Sequence, residues 1–526
     1  LKRKKTYLLN KALLNNNLPT AFYKFDTFKT NNKSIGVSLL KRLISDTAIY
    51  GTSSILARGL NYLLTFLIAD IVATSEFGIF TQLYAMVAFL LVILTHGMET
   101  SFFRHVNLYD KSKNIFGTAF LSVATFTAIF LVASLVFLEP ISVGLKYPNQ
   151  QNYILIFIWI IVFDVLAAVP FANLRHEGKA KRFANLKIFN IGLTIALNVF
   201  FLMIAPKLML QNNAVGQWMN SWYQPENKVL YVFLSNLIAS IATFLLHLPQ
   251  IAKISFKIDK AVYKQMLWYA LPIMLLGCAG TINEMMDRII LRSYLPYNDE
   301  ANLAQLGIYG FAYKLSMIMS LFLQAYKFAV EPILFAEVKK ENAQKTYALI
   351  MKYYVIAISV LFMVMMLNLP FIEYFLFEVV NYNPDYKAAF KIVPVLLAAN
   401  AFLGIYFNIA TWYKVSDRTL YGAYIAFFGA AITIVLNIVF VPIYEIEASA
   451  WTTLICYVAM AIVGLWLGQK FYPIPYHYSR LLLYLGIAAL TVVAWLLLRH
   501  LPFYVLSGLS VVLASAFIWL ARKLER

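Results

Sequence analysis

The chain has 526 residues, of which 61% are hydrophobic and 13% charged, and its formal net charge is +19. A soluble chain carries about 25% charged residues, so the composition excludes a soluble globular protein and points to a polytopic helical membrane protein. The two cysteines, Cys278 and Cys456, sit in apolar runs and the six histidines are scattered, which excludes a disulfide framework and leaves no zinc-ligand spacing.

In chain order, residues 1–45 are rich in Lys and Asn and lack the apolar h-region of a secretory signal. They read as a basic cytoplasmic tail, partly amphipathic at the lipid surface. Fourteen apolar spans follow. The first six lie near 46–70, 77–97, 115–138, 153–172, 186–205 and 229–251, giving an N-lobe over 46–251. A cytoplasmic linker, 252–265, leads to spans near 266–294, 306–328, 346–368, 393–412, 421–441 and 448–468, a C-lobe over 266–468. Two further spans, near 481–498 and 502–521, occupy 469–526. The longest outer loops are 206–228, with Trp218 and Trp222, and 369–392, an amphipathic surface segment suited to the membrane interface.

Charge placement tests this count. With the N-terminus in the cytoplasm, the inner segments hold 34 of the 44 Lys and Arg, the outer segments seven, and the spans three: Arg58, Arg288 and Lys314. That asymmetry is the positive-inside signature. It accounts for the net charge as a topology signal directed at anionic membrane lipids, and it excludes a nucleic-acid partner.

The chain also repeats itself. TIALNVFF (194–201) and TIVLNIVF (433–440) match at an offset of 239, and FGIF (77–80) and LGIY (306–309) at 229. An offset of 222 sets Asn61 on Asn283 and Thr65 on Asp287. Two parallel six-span halves follow, an architecture common among secondary transporters. Spans 1 and 7 are then expected to face each other across a central cavity.

A charged group inside a span costs about 2.5–3.5 kcal/mol on insertion scales and faces a polar interior by default. Arg58 lies near the middle of span 1 and shares a helical face with Asn61 and Thr65. Arg58, Arg288 and Lys314 fit an anion site, because a guanidinium fork donates two hydrogen bonds to a phosphate at once. Structural pairing is the alternative, since Glu284 and Arg288 stand at i and i+4. Asp287, Glu284 and Asp164 fit ion or proton coupling, or else helix–helix hydrogen bonds. Glu99, Arg104 and Glu331, at the inner ends of spans 2 and 8, are gate candidates or solvated helix ends. Glu445 and Glu447, in an outer loop, form no metal site of the kind membrane glycosyltransferases use. The chain has no Gly-rich phosphate loop followed by Lys and no recognisable Ser/His/Asp set, so no enzyme activity, ATP-driven step, metal or cofactor is expected.

EFGIFTQLYA and GMETSFFRH, then LRHEGKAKRFANLKI, then DRIILRSYL, LGIYGFAYKLS and AVEPILFA, and last LNIVFVPIYEIEASAWTTL resemble the bacterial polysaccharide-unit flippases. These belong to the superfamily that also holds multidrug antiporters and peptidoglycan-lipid flippases. The resemblance spans roughly residues 40–520. It implies two six-helix lobes around a cavity that opens alternately to each side of the bacterial cytoplasmic membrane, with both termini cytoplasmic. The implied cargo is an undecaprenyl-pyrophosphate-linked oligosaccharide destined for surface polysaccharide, whose pyrophosphate would meet Arg58, Asn61, Arg288 and Lys314. A gradient would reset the carrier, and polysaccharide polymerase machinery is the implied partner. The chain departs from the family pattern at Glu445 and Ala448, where glycines are usual, and at Asp70, where a base is common. Rival readings are a multidrug or cation antiporter on the same fold and a membrane polymerase or glycosyltransferase.

Overall fold

The computed structural model describes residues 33–109, 114–255, 257–337, 342–416 and 418–525. Residues 1–32 of the expected tail, and Lys111, Lys113, Lys339 and Lys340 of the charge count, lie outside the described residues. No strand occurs among the described residues. In hydrocarbon an unpaired backbone N–H or C=O is costly, so an apolar run closes its hydrogen bonds within itself as a helix.

The spanning helices are α1 (Lys33–Ile71), α2 (Thr74–Leu108), α3 (Ile115–Val136), α4 (Gln151–His176), α5 (Ala180–Met209), α6 (Lys228–Ile251) and α7 (Lys260–Tyr294). They continue with α8 (Asp299–Glu337), α9 (Ala343–Val379), α10 (Val393–Val415) and a helical run of 53 residues, Thr419–Phe471. That run would measure about 80 Å at 1.5 Å per residue, against a hydrocarbon core of about 30 Å. It breaks at Glu445, whose φ is 54° and ψ −134°, three residues after Pro442. Beyond the break the chain folds back: Ser449 Oγ donates to Asn437 Oδ1 at 2.5 Å and Cys456 Sγ to the Gly429 carbonyl at 3.4 Å. The run is therefore two spans, α11 (419–444) and α12 (446–471), and Tyr297 donates its hydroxyl to the Glu445 carboxylate at the turn. With α13 (Tyr478–Leu498) and α14 (Phe503–Glu525) the bundle has the fourteen spans expected.

Packing is repeated between α1–α6 and α7–α12. α1 packs on α5 as α7 packs on α11, and α2 meets α7 as α8 meets α1. In the two matching octapeptides, Asn198 and Asn437 are both buried and donate to the carbonyls of Thr194 and Thr433, at 2.8 and 2.7 Å. α2 and α8 cross at the other repeated motif. A Cβ added to Gly78 would stand 1.9 Å from the Leu303 carbonyl oxygen, and one on Gly307 2.0 Å from that of Thr74. Thr74 and Leu303 are related by the same offset of 229 as the two glycines. The pseudo-two-fold relation thus runs through a crossing that only a missing Cβ permits, the device by which small residues bring membrane helices together.

α13 and α14 pack on α9. Glu525 ties them there, accepting from Arg480 at 3.0 Å, from Tyr484 at 2.8 Å and from Lys352 of α9. Trp412, 1% exposed, seals α10 against α12, donating Nε1 to the Gly464 carbonyl at 2.9 Å and stacking on Phe471. Trp412→Ala is expected to cost about 3–5 kcal/mol, read as a lower midpoint of thermal unfolding in detergent.

Candidate functional site

α1 enters, and α2 returns to, the end of the bundle where the Lys/Arg-rich loops gather; this is termed the basic end. Toward it, a set of charges joins both halves. Arg58 on α1 is exposed at its surface yet desolvated by the helices around it, the combination a recess produces, and its electrostatic partner is Glu284 on α7. Glu284 and Arg58 both interact with Lys327 on α8, which stands one helical turn before Glu331. Glu331 in turn faces Lys414 on α10. On the other side Arg58 faces Lys187 on α5, which interacts with Asp164 and Arg175 of α4 and with Glu99 of α2. Arg175 pairs with Glu99 at 3.2 Å, and Ser240 of α6 donates to Asp164 at 2.7 Å. Five cations and four carboxylates thus form one continuous series from α5 through α1 and α7 to α10.

This series contains Arg58, Glu284, Asp164, Glu99 and Glu331 of the expected residues, and four that sequence reasoning had assigned to topology. All four fall among the inner basic residues of the charge count: Lys187 and Lys327 stand at the very ends of their apolar stretches, and α4 and α10 run past theirs and carry Arg175 and Lys414 into the bundle. Two signals were available: the i, i+4 spacing of Lys327 and Glu331, and the place of Lys187 within the first turn of an apolar run.

Arg288 and Asp287 lie elsewhere, 6% and 2% exposed between α7 and α8. Structural pairing, the alternative to an anion site, involves a different acid from the one the i, i+4 spacing suggests: Arg288 pairs with Asp287, Nη1 to Oδ1 at 3.0 Å, and donates only to the backbone carbonyl of Glu284. Asp287 has further partners. Its carboxylate folds back onto its own helix, accepting from the Arg288 backbone N–H at 2.8 Å and from the Tyr309 hydroxyl. The guanidinium is covered by the Tyr313 ring at 4.1 Å. Lys314 is a like-charge neighbour of Arg288 in this region. Asn61 is exposed, whereas Asn283 is buried and donates to the Ala426 carbonyl at 3.2 Å, so the offset of 222 pairs unlike environments there, although Thr65 and Asp287 are both buried. Arg104 stands apart from the charge series, stacked on Tyr269 at 4.2 Å.

The opposite end is shut. Above the Gly78–Gly307 crossing, Arg292 of α7 is 1% exposed and holds both halves. It donates to Gln82 of α2 at 2.7 Å, to the Lys146 carbonyl at 2.9 Å and to Asp299 at 2.8 Å, and lies 4.0 Å from the centre of the Tyr147 ring. Tyr147 closes the circuit by donating to Gln82 at 2.8 Å. Among the described residues no cluster of three or more His, Cys, Asp or Glu could hold a metal.

Solved structures share this architecture. The lipid II flippase MurJ in an inward closed conformation aligns with a TM-score of 0.68 over 91% of this chain and 99% of that one, at 14% identity. A multidrug resistance MATE family transporter of the MOP superfamily, inward-facing, gives 0.60 over 81% and 94%, at 13% identity. An outward-facing conformation of such a transporter gives 0.56 over 81% and 95%, at 13% identity. At such identities the likeness is one of fold. Among curated proteins none matches the chain in sequence. Residues 43–336, more than half of the chain, match the polysaccharide biosynthesis protein family. The chain therefore belongs to that family, as a multi-pass membrane protein built on the transporter fold shared by lipid flippases and multidrug exporters.

Proposed function

We propose that the protein flips an undecaprenyl-pyrophosphate-linked oligosaccharide across the bacterial cytoplasmic membrane, for assembly into surface polysaccharide. The basic end faces the cytoplasm and both termini lie on that side. The observation that carries this reading is Arg58: a fork of donors, accessible but desolvated, at the centre of a charge series that joins the two halves. A pyrophosphate entering from the basic end displaces Glu284 from Arg58, and Glu284 turns to Lys327. Asn61, also exposed and one turn along α1, lies beside the headgroup. The lipid tail stays in the bilayer. The two halves then separate at the Arg292 end and release the headgroup outside, moving as six-helix lobes divided by the segment between α6 and α7. An ion or proton gradient resets the carrier, with Asp164, held by Ser240 and facing Lys187, as the coupling acid. Arg288 and Asp287 brace α7 against α8 during this motion, and polysaccharide polymerase machinery receives the product.

Four carboxylates in the series favour a second reading, export of a cationic molecule on the same fold. The excess of cations and the polysaccharide family membership favour the anionic cargo. Cells lacking the protein are expected to accumulate the lipid-linked oligosaccharide on the inner leaflet. Arg58→Ala is expected to lower export about 10- to 100-fold with protein levels intact, as the loss of a charge-assisted contact of about 1.5–3 kcal/mol requires. Arg58→Lys should fall between. Undiminished export in the alanine variant removes Arg58 from the site, and absence of the lipid-linked intermediate in the deletion strain removes the flippase reading.

A further inference from the structure

At the basic end, where α2 finishes and α7 begins, a cleft of about 420 Å³ opens at the bundle surface, lined by Arg104, Leu108, Lys264, Trp268 and Tyr269 among others. No carboxylate lines it. The Arg104 guanidinium carbon lies over the Tyr269 ring, 4.2 Å from its centre, a contact that steadies the cation beside the cleft. Neither Arg104 nor Lys264 is ion-paired among the described residues. Two cations without counter-charges thus converge from the two halves of the bundle.

The cleft does not lead to the central recess. Beneath it Ser101 Oγ donates to the Met266 carbonyl at 2.8 Å. Gly97, with φ of 70°, brings α2 so close to α7 that a Cβ there would stand 2.5 Å from the Ala270 carbonyl oxygen. On its outer side the cleft continues into apolar surface along α7. Leu108 is 50% exposed on α2, and on α7 Trp268 is 69% exposed, with Leu275 49% exposed two turns further on. A Trp at this depth is a membrane-interface residue.

We propose that this cleft binds an anionic glycerophospholipid, its phosphate held between Arg104 and Lys264 and its acyl chains running along the exposed Trp268–Leu275 face of α7. The arginine fork and the lysine ammonium suit a phosphate, and basic pockets between transmembrane helices hold anionic headgroups. Because each half supplies one cation, the bound lipid bridges α2 and α7. This site is separate from the transport recess and does not depend on the cargo proposed for it.

The test is native mass spectrometry of the full chain in neutral detergent, titrated with phosphatidylglycerol or with phosphatidylcholine. Phosphatidylglycerol is expected to bind the unaltered protein more tightly than phosphatidylcholine. Loss of both cations in Arg104→Ala/Lys264→Ala is expected to weaken phosphatidylglycerol binding about 30-fold, roughly fivefold for each basic residue, and to leave phosphatidylcholine binding unchanged. Arg104→Lys/Lys264→Arg should retain binding. Where the double alanine variant is poorly folded, Trp268→Glu, which places an acid at the exposed rim, is expected to weaken phosphatidylglycerol binding in the same way. Equal phosphatidylglycerol binding by these variants and the unaltered protein overturns the proposal. So does displacement of phosphatidylglycerol by equimolar undecaprenyl phosphate, which would assign the cleft to a polyprenyl lipid.

Discussion

Replacing Arg292 by alanine is expected to unlock the end of the bundle that lies away from the basic loops. Four contacts disappear together: those with Gln82, the Lys146 carbonyl and Asp299, and the stack on Tyr147. Charge-assisted hydrogen bonds contribute about 1.5–3 kcal/mol each, and a desolvated cation–π contact about 2. They are not additive, and Asp299 is half-exposed and rehydrates readily. A net shift of about 3 kcal/mol toward the open form remains, on the order of 100-fold in population. A cysteine at Thr81, buried beside the α2–α8 crossing, reports it once Cys278 and Cys456 are replaced by serine. A membrane-impermeant maleimide should label that cysteine far faster in the alanine variant. Equal labelling rates with and without Arg292 would show that the network does not hold this end shut. Arg292→Lys should give an intermediate rate, because an ammonium cannot serve Gln82, Asp299 and a carbonyl in one plane.

Gly307→Leu is expected to abolish transport while the protein remains in the membrane. Even a Cβ at this position would stand 2.0 Å from the Thr74 carbonyl oxygen, which is backbone and cannot rotate away. α2 and α8 must then separate, at the few kcal/mol that overpacking costs. That is enough to hold one end apart and too little to unfold a bundle of fourteen helices. The Thr81 cysteine should therefore become accessible, as in the Arg292 variant, but transport should fail because the end cannot close again. Gly78→Leu, on the symmetry-related helix, should behave alike. A leucine variant of either glycine that transports normally would show that this crossing never needs to close.

The spans were legible because hydrocarbon leaves an apolar chain one way to satisfy its backbone. Their number was legible too, although α11 and α12 form one helical run interrupted at Glu445 alone. Arg58 and Glu284 stood out because a charge in a span is costly, yet the electrostatic influence of Glu284 on Arg58 joins α1 to α7, a relation that no local spacing encodes. Lys187, Lys327 and Lys414 were hidden by their own sign: counting basic residues by side absorbs any lysine near a span end into the topology signal. Arg292 was lost in the same way on the other side: it stands two residues before the end of its span and falls among the outer basic residues of the charge count. The Asp287–Arg288 pair escaped for a different reason. Neighbouring residues on a helix point about 100° apart, so a pair at i and i+1 is not sought. It exists because a short carboxylate can turn back to its own backbone while a long guanidinium reaches round to meet it.

The last two helices have a mechanical consequence. They are riveted through Glu525 to Lys352 on α9, and they rest on that helix rather than on α1–α6. Whatever rotation the bundle undergoes, α13 and α14 are carried by the second half as ballast. The two halves, alike in their inner packing, are therefore unequal in drag against the surrounding lipid. A probe fused at the C-terminus therefore reports on the second half.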